Sequence, residues 1–273
     1  MIYPRVPVLL FIIFSSLIPK TNAYELTILK QSWGKAKLSE VQAVLRSTAE
    51  QFIPLIKELK ELKFVVSKTS SSPIVLYKRT KNGELQIKLN TKDRFWCQYV
   101  FQFAHELGHV LCGFKKGNPS NQWFEESLCE AASLYALKRL SIQWSVSPPY
   151  QNWKDYAPEF LKYRNQRIKN SQFPNDFQLP VWWKKNSNTL SKNHALRKQN
   201  LWVAVKLLGI IEQKPESAWS ACTWINYTKS GRSKTFEKYL SDWQRACPKL
   251  SQKKFVDQVI NLFGISTNQN KNK

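Results

Sequence analysis

A long helix with one apolar face lies near the middle of this sequence and limits the folds open to the chain. From about residue 94 to residue 112, large apolar side chains recur at intervals of three and four residues. They are Trp96, Tyr99, Val100, Phe103, Leu107 and Val110. This spacing is typical of a helix that buries one face. Gly113 follows where a left-handed helix cap favours glycine, so we expect the helix to end at Cys112.

This helix carries the pattern H-E-x-x-H, formed by His105, Glu106 and His109. Residues four apart lie one above the other on a helix, so both imidazoles can bind one zinc ion at about 2.0–2.1 Å. Glu106 can lean toward a water on that metal. The chain has only 3 histidines. Because two of them fall in this pattern, a chance match is a poor explanation.

A second helix is predicted from about residue 121 to residue 140, and it carries Trp123, Glu126 and Glu130 as W-x-x-E-x-x-x-E. The HELGH helix followed by this pattern resembles the gluzincin branch of zinc metallopeptidases. The resemblance covers about residues 38–140. It implies one catalytic zinc ion and a zinc-bound water. The residues that it implies are the ligands His105, His109 and Glu126, the catalytic base Glu106, and Glu130 as acceptor for the other ring N–H of His105.

The third ligand has alternatives. Glu125 and Glu130 compete with Glu126, although Glu125 points about 100° away from Glu126 on a helix. A metzincin site would need a third histidine a few residues after His109, and the sequence has none there. Cys112 or Cys129 could act as a thiolate ligand, but sites with several thiolates are usually structural and use another spacing.

The remaining histidine, His194, precedes a predicted helix in a polar loop. Attack on a peptide carbonyl develops negative charge on oxygen, and enzymes often supply a His or Tyr donor there. His194 is therefore a candidate catalytic residue, and its alternative is an exposed surface histidine. Tyr150, Tyr156 and Tyr163 are alternative donors.

The rest of the mature chain predicts an α+β fold. A helix is expected over Leu38–Leu62, although Pro54 can kink it. Short strands follow near residues 64–66, 74–78 and 84–89, and Asn82-Gly83 is a hairpin turn signal. Further helices are expected near residues 153–168, 196–213, 234–244 and 251–263. The fold class is thus a small β-sheet packed on the H-E-x-x-H helix, followed by a mostly helical C-terminal lobe, which the resemblance makes zincin-like.

The ends of the chain have a different character. Arg5, a 13-residue apolar stretch from residue 6 to residue 18, and Thr21 and Ala23 at the expected positions predict a cleaved signal peptide over residues 1–23. The predicted organisation is a catalytic core over residues 24–140, a helical lobe completing the cleft over residues 141–266, and a polar tail over residues 267–273. The mature protein would be secreted or periplasmic and would have no transmembrane span.

Net charge and cysteine content add expectations about partners and redox state. The formal net charge is +23, which favours an anionic surface or cell-wall polymer as neighbour. No dense basic run or nucleic-acid motif is present, so nucleic acid is not an expected partner. With 5 cysteines in an exported chain, Cys222–Cys247 is the favoured disulfide, and Cys112 and Cys129 are also close enough in sequence to pair.

Together these features predict an exported zinc-dependent metallopeptidase that hydrolyses peptide bonds in a peptide or protein substrate. Two alternatives remain open. One is a zinc hydrolase that acts on cell-wall or other amides. The other is a non-catalytic basic binding protein on a metallopeptidase frame, which the intact His105, Glu106 and His109 disfavour.

Overall fold

The computed structural model describes residues 24–56, 59, 61–228 and 233–265. The predicted signal peptide and the polar tail lie outside these residues. Within them the chain has an α+β fold with a four-stranded mixed sheet and nine α-helices. The strands are β1 (Tyr24–Ile28), β2 (Leu62–Lys68), β3 (Ile74–Leu76) and β4 (Leu85–Leu89). The helices are α1 (Leu38–Ala49), α2 (Trp96–Leu111), α3 (Gln122–Val146), α4 (Ala157–Asn170), α5 (Leu179–Lys192), α6 (Arg197–Ile211), α7 (Pro215–Cys222), α8 (Phe236–Ala246) and α9 (Leu250–Leu262).

The sheet has the order β1-β2-β4-β3. β1, β2 and β4 are parallel, and β3 runs antiparallel to β4 with Val75 opposite Ile87. In β2 and β4 buried residues alternate with half-buried ones, because successive side chains point to opposite faces and one face covers the core. The hairpin prediction is confirmed: Gly83 has φ of 81°, a left-handed conformation that suits the turn between β3 and β4. β3 thus lies at one edge of the sheet.

The predicted helix over Leu38–Leu62 is wrong in its second half. α1 ends at Ala49, a 3-10 turn follows at Ile53–Leu55, and β2 begins at Leu62. Pro54 lies in that turn, where its missing N–H and fixed φ oppose continuation of an α-helix. The shorter helix forms the crossover between the parallel strands β1 and β2, which parallel pairing requires.

α2 and α3 form the centre of the molecule and agree closely with the sequence prediction. α2 ends one residue before Cys112, and Gly113 has φ of 89° as expected of a glycine cap. The two helices pack very closely at Gly108, because a Cβ built there would lie 2.9 Å from both the Cα and the Sγ atom of Cys129. This contact fixes the spacing between the two helices that carry the predicted ligands.

The C-terminal helices pack on this pair through aromatic side chains. At the start of α3, Trp123 lies with its ring centroid 4.9 Å from that of Phe236 of α8, and Phe263, after α9, is also 4.9 Å from Phe236. One continuous core therefore joins the sheet, α2 and α3 to the C-terminal helices. The predicted helices near residues 196–213, 234–244 and 251–263 are confirmed as α6, α8 and α9.

Other details of this half differ from the prediction. α3 continues to Val146, the segment Gln151–Tyr156 is a 3-10 helix that leads into α4, and neither α5 nor α7 was predicted as a helix. α5 and α7 each begin with proline in the first turn, where proline is tolerated because its N–H would have no partner in the helix.

The expected Cys222–Cys247 disulfide is wrong. All five cysteines are free and buried, and Cys222 and Cys247 belong to the apolar core as small side chains. Cys112 and Cys129 are also unbonded, although their thiol groups share a hydrogen bond. In the part of the chain that the structure covers, no helix is long and apolar enough to cross a membrane.

Candidate metal centre

The two histidines of α2 turn the same ring nitrogen toward one carboxylate of α3. His105 Nε2 lies 3.2 Å from Glu126 Oε2, and His109 Nε2 lies 3.7 Å from Glu126 Oε1. The ring centroids are 5.4 Å apart. The one-turn spacing on α2 and the close packing of α3 therefore bring one nitrogen of each imidazole to within 3.7 Å of the same carboxylate.

The other ring nitrogen of each histidine faces a second carboxylate. His109 Nδ1 lies 2.9 Å from Glu125 Oε1, and His105 Nδ1 lies 3.9 Å from Glu130 Oε1. A carboxylate at Nδ1 holds the proton on that nitrogen, so that Nε2 is the nitrogen on which a metal would replace a proton. Glu130 is near the His105 nitrogen for which the sequence predicts it as acceptor, at a distance longer than a hydrogen bond. Glu125, considered above as a competing ligand, lies instead behind His109, because adjacent helix positions point in different directions.

Glu125 is held by a buried polar network that the sequence did not reveal. Tyr77 donates its hydroxyl hydrogen to Glu125 Oε1 at 3.2 Å, and Asn226 Nδ2 donates to Glu125 Oε2 at 2.8 Å. Tyr239 in turn donates to Asn226 Oδ1 at 3.0 Å. Gly117 makes room for this network, since a Cβ there would lie 2.5 Å from Glu125 Oε2. Because these partners are distant in sequence, no local pattern could identify them.

The pKa values of His105 and Glu126 shift in opposite directions, because each side chain stabilises the charged form of the other. Burial alone would lower the pKa of His105, but the hydrogen bond with Glu126 and the charges of Glu130 and Glu106 raise it to about 9. Burial alone would raise the pKa of Glu126, but the same hydrogen bond and the charges of His109 and His105 lower it. Glu126 is therefore ionised and His105 is protonated at neutral pH, so a metal ion would have to displace the proton on the ring nitrogen that faces Glu126.

Glu106 lines the same pocket as the two histidines of α2 and Glu126. It is buried, and burial raises its pKa, although His105, His109 and a backbone hydrogen bond from Val75 of β3 oppose the rise. A carboxylate with a raised pKa holds a proton more readily than an exposed one, which suits a group that accepts and returns a proton. β3 thus fixes the side chain on which the predicted base function depends.

All the predicted site residues line one pocket of about 470 Å³, within the size range of small-ligand sites. They are His105, Glu106, His109, Glu126, Glu130 and His194. His194 is exposed and lies between α5 and α6, where its carbonyl accepts a hydrogen bond from Asn200 Nδ2 at 2.8 Å. Its proximity to Glu126 helps to lower the pKa of that carboxyl.

The tyrosines proposed as alternative donors differ in position. Tyr163 lines the pocket, whereas Tyr150 and Tyr156 are not among its lining residues. The hydroxyl of Tyr156 is 3.4 Å from both the backbone nitrogen and the Sγ atom of Cys97. Tyr77, which was not considered from the sequence, also lines the pocket.

A second grouping of possible ligands includes a cysteine. His105, His109 and Cys129 place one ligand atom each within 4.8 Å of one another. Cys129 is fully buried, however, and burial raises the pKa of its thiol well above the usual value. A metal binds the thiolate rather than the thiol. Glu126 is ionised and lines the pocket, whereas Cys129 would bind only after a metal ion displaced the proton of its thiol.

The donor set formed by two imidazole nitrogens and one carboxylate suits zinc, which binds both ligand types in catalytic sites. The buried Oε2 atom of Glu130 has no hydrogen-bond partner among the described residues, which leaves this carboxylate free to adjust toward His105. Comparison of the chain with known protein families, curated proteins and solved structures gives no match.

Proposed function

We propose that this chain is a zinc-dependent metallopeptidase. One observation carries the proposal: the Nε2 atoms of His105 and His109 face a single carboxylate, Glu126, while each Nδ1 atom faces another carboxylate. A pair of histidines that served only in packing would not require a carboxylate near each ring nitrogen. A carboxylate at Nδ1 orients a metal-binding imidazole, and a divalent ion between the rings would take the place of the proton on Nε2.

His105, His109 and Glu126 would hold the zinc ion, and Glu125 and Glu130 would orient the two rings. Three protein ligands leave one coordination position open, which distinguishes catalytic from structural zinc sites. Bound zinc would act as a Lewis acid and lower the pKa of a water toward about 7. The α+β fold, with a small sheet beside the H-E-x-x-H helix, is compatible with the zincin-like architecture that the sequence resemblance implies.

The other pocket residues would then act on protons and charge. Glu106 would accept a proton from the attacking water and deliver it to the leaving amine, because it is buried next to the ligand cluster and has a raised pKa. His194 lines the same pocket and is the residue that the sequence suggests as hydrogen-bond donor to the developing oxyanion. Tyr77 and Tyr163 also line the pocket and are the alternatives to His194.

The first experiment measures zinc per chain in protein purified without chelator. We expect about one zinc ion in the wild type and little in Glu126→Ala. The matched control is Glu216→Ala, which removes an exposed glutamate of α7 and should leave zinc content unchanged. Equal zinc content in wild type and Glu126→Ala would place the third ligand elsewhere. A Cys129→Ala variant would then test the thiol as ligand.

A second experiment separates metal binding from catalysis. Glu106→Gln should retain zinc, because Glu106 is not a ligand, but should lose turnover of a peptide library. Removal of a catalytic acid–base group typically costs about 10²–10⁴-fold in rate. Loss of zinc from Glu106→Gln would contradict this assignment. A wild type that binds zinc but cleaves no peptide would favour the non-catalytic binding protein.

The net charge of +23 favours a second candidate, a zinc hydrolase for amides of an anionic cell-wall polymer. The same site chemistry would serve either substrate. An assay of wild type and Glu106→Gln on purified wall material, run beside the peptide library, separates the two. Release of amino groups from the wall alone would favour the second candidate.

A further inference from the structure

Two arginines reach the candidate metal pocket from the C-terminal helices. Arg167 of α4 and Arg197, the first residue of α6, both line it. Neither guanidinium forms an ion pair or a hydrogen bond with a residue that the structure describes. Arg167 lies over the ring of Phe101 at 4.0 Å from its centroid, which fixes its stem without occupying its N–H donors. The pocket therefore contains two cations whose hydrogen-bond donors are available.

The buried carboxylate of Glu130 is the obvious partner for these arginines, but it does not bind them. Its charge interacts with both Arg167 and Arg197, yet no guanidinium nitrogen lies within 4.0 Å of its oxygens, and its closest cationic neighbour is His105. Its Oε2 atom is buried and has no hydrogen-bond partner among the described residues. Because Glu130 forms neither an ion pair nor a hydrogen bond with them, the N–H donors of both arginines have no partner among the described residues.

The side-chain oxygen of Asn200, another residue that lines the pocket, also has no hydrogen-bond partner among the described residues. Its side chain is buried, and its Nδ2 group donates to the backbone of His194. Its Oδ1 atom has no partner in the described part of the chain. Because buried polar atoms in native proteins are nearly always paired, a backbone N–H of a bound peptide can supply the hydrogen bond that this acceptor lacks.

We infer that the pocket binds a substrate carboxylate through Arg167 and Arg197, so that the proposed peptidase prefers substrates with a negative charge near the cleavage site. This inference rests on the proposed function. An arginine guanidinium presents a planar pair of N–H groups that matches the two oxygens of a carboxylate. The pocket also contains the carboxylates of Glu106, Glu126 and Glu130, and a bound divalent ion would offset the charge of two of them.

The charge of the whole molecule acts in the same direction. The chain carries 42 Lys and Arg against 19 Asp and Glu. A strongly cationic surface raises the encounter rate with anionic molecules, and the pocket arginines would then retain those that present a carboxylate. The carboxylate can be the C-terminus of the substrate or an acidic side chain, since both offer the same two oxygens.

The test uses the full chain with Glu106→Gln, which leaves peptides uncut, and fluorescence anisotropy of labelled peptides. One pair of Ala-rich peptides differs only in a free C-terminal carboxylate or a C-terminal amide. A second pair is amidated and differs only in one internal Glu or Gln. We expect one carboxylate member to bind at least about tenfold more tightly than its neutral partner, as a charged hydrogen bond allows. The pair that shows the preference identifies the source of the carboxylate.

The arginine variants decide whether these side chains carry the preference. Arg167→Gln with Arg197→Gln, in the Glu106→Gln background, should reduce it to below about twofold. The matched control, Lys169→Gln with Lys185→Gln, removes the same charge from exposed positions outside the pocket and should retain it. Arg197→Gln alone is also measured, because Arg197 is exposed and its loss disturbs no packing. An equal loss in the control pair, or no preference in either peptide pair, would overturn the inference.

Zinc content measured on the same samples keeps the two proposals apart. If the chain binds zinc but shows no preference for carboxylate peptides, the substrate inference is wrong and the proposed function stands. A carboxylate preference that depends on the arginines, in a chain that binds no zinc, removes the proposed function and retains the anion-binding pocket. Absence of both overturns the inference together with the function on which it rests.

Discussion

At the scale of single residues, the two histidines of the candidate site are supported unequally. His109 Nδ1 lies 2.9 Å from Glu125, whereas His105 Nδ1 lies 3.9 Å from Glu130. Glu125 is also fixed by Tyr77 and Asn226. A ring whose orientation is set before the metal arrives loses less freedom on binding, so Glu125 should matter more than Glu130 for metal affinity.

Glu125→Gln should weaken zinc binding by about 10–100-fold, because the neutral amide no longer stabilises the Nδ1 proton of His109. Competition with a chelator of known affinity measures the change. Glu130→Gln should have a smaller effect, since its contact with His105 is longer. Exposed Glu216→Gln serves as the control outside the site. A larger loss in Glu130→Gln than in Glu125→Gln would contradict this reading of the geometry.

Asp242 predicts a pH-dependent contribution to stability far from the candidate site. Burial alone would raise the pKa of Asp242, but hydrogen bonds from Lys234, Lys238 and Arg245 hold it well below its usual value. The Nζ atom of Lys234 lies 2.7 Å from its Oδ2 atom. Because the folded-state pKa is depressed, the stabilisation is complete above the unfolded-state pKa of about 3.9 and is lost as pH falls through the folded-state pKa.

Asp242→Asn should therefore lower the free energy of unfolding by roughly 1–3 kcal/mol at pH 7 and by less as the pH is lowered below about 4. Urea unfolding in the presence of chelator, at pH 7 and at pH 3, measures both values without a metal contribution. Asp176→Asn removes the same charge from an exposed loop and is the control. A difference that stays constant between the two pH values would rule out the ion cluster as its cause.

At the scale of elements, the distance between α2 and α3 decides whether their side chains can share a metal ion. Gly108 permits this distance, because an added Cβ would lie 2.9 Å from the backbone Cα atom of Cys129. A backbone atom cannot rotate away as a side chain can. The helices would have to separate, and His105 and His109 would then move away from Glu126.

Gly108→Ala should destabilise the fold by about 1–3 kcal/mol and weaken zinc binding, despite the higher helix propensity of alanine. Gly209→Ala is the matched control within α6, since nothing lies within 4 Å of a Cβ built there. It should stabilise the chain by up to about 1 kcal/mol. Thermal or urea unfolding together with zinc titration measures both effects. If the two variants changed stability equally, the contact between α2 and α3 would not be the reason why position 108 requires glycine.

At the scale of the whole molecule, the core is continuous, and all five cysteines are buried as free thiols, four of them within that core. Burial raises the pKa of Cys222 and Cys129 well above the ordinary value, which keeps these thiols protonated and unreactive. The fold therefore relies on its aromatic and aliphatic packing rather than on a covalent link between α7 and the end of α8.

A thiol reagent applied without reductant should label few cysteines in the folded chain and all five after denaturation. Mass spectrometry of the alkylated chain counts the modified thiols. The reason is access: each sulfur lies in the core and reacts only after unfolding. Only three labelled thiols in denaturant would show one disulfide and restore the pairing expected from the sequence. A fully reduced sample gives the reference count.

The local features of this fold could be read from the sequence because they depend on neighbours along the chain. The apolar face of α2, its glycine end at Gly113 and the Asn82-Gly83 hairpin follow from side-chain period and backbone freedom. The early end of α1 shows the limit of this reasoning. Its apolar period continues past Ala49, but Pro54 and the need to reach β2 end the helix.

The H-E-x-x-H helix and the helix that follows it could be predicted from spacing along the chain, since an i, i+4 spacing fixes which side chains share a face. The position of Glu125 behind His109, and its support by Asn226 and Tyr239, depend on how distant helices pack. The same packing brings Arg167 and Arg197 to the pocket. These groups come together through the packing of distant helices, and no periodicity along the chain encodes a contact between residues about 100 positions apart.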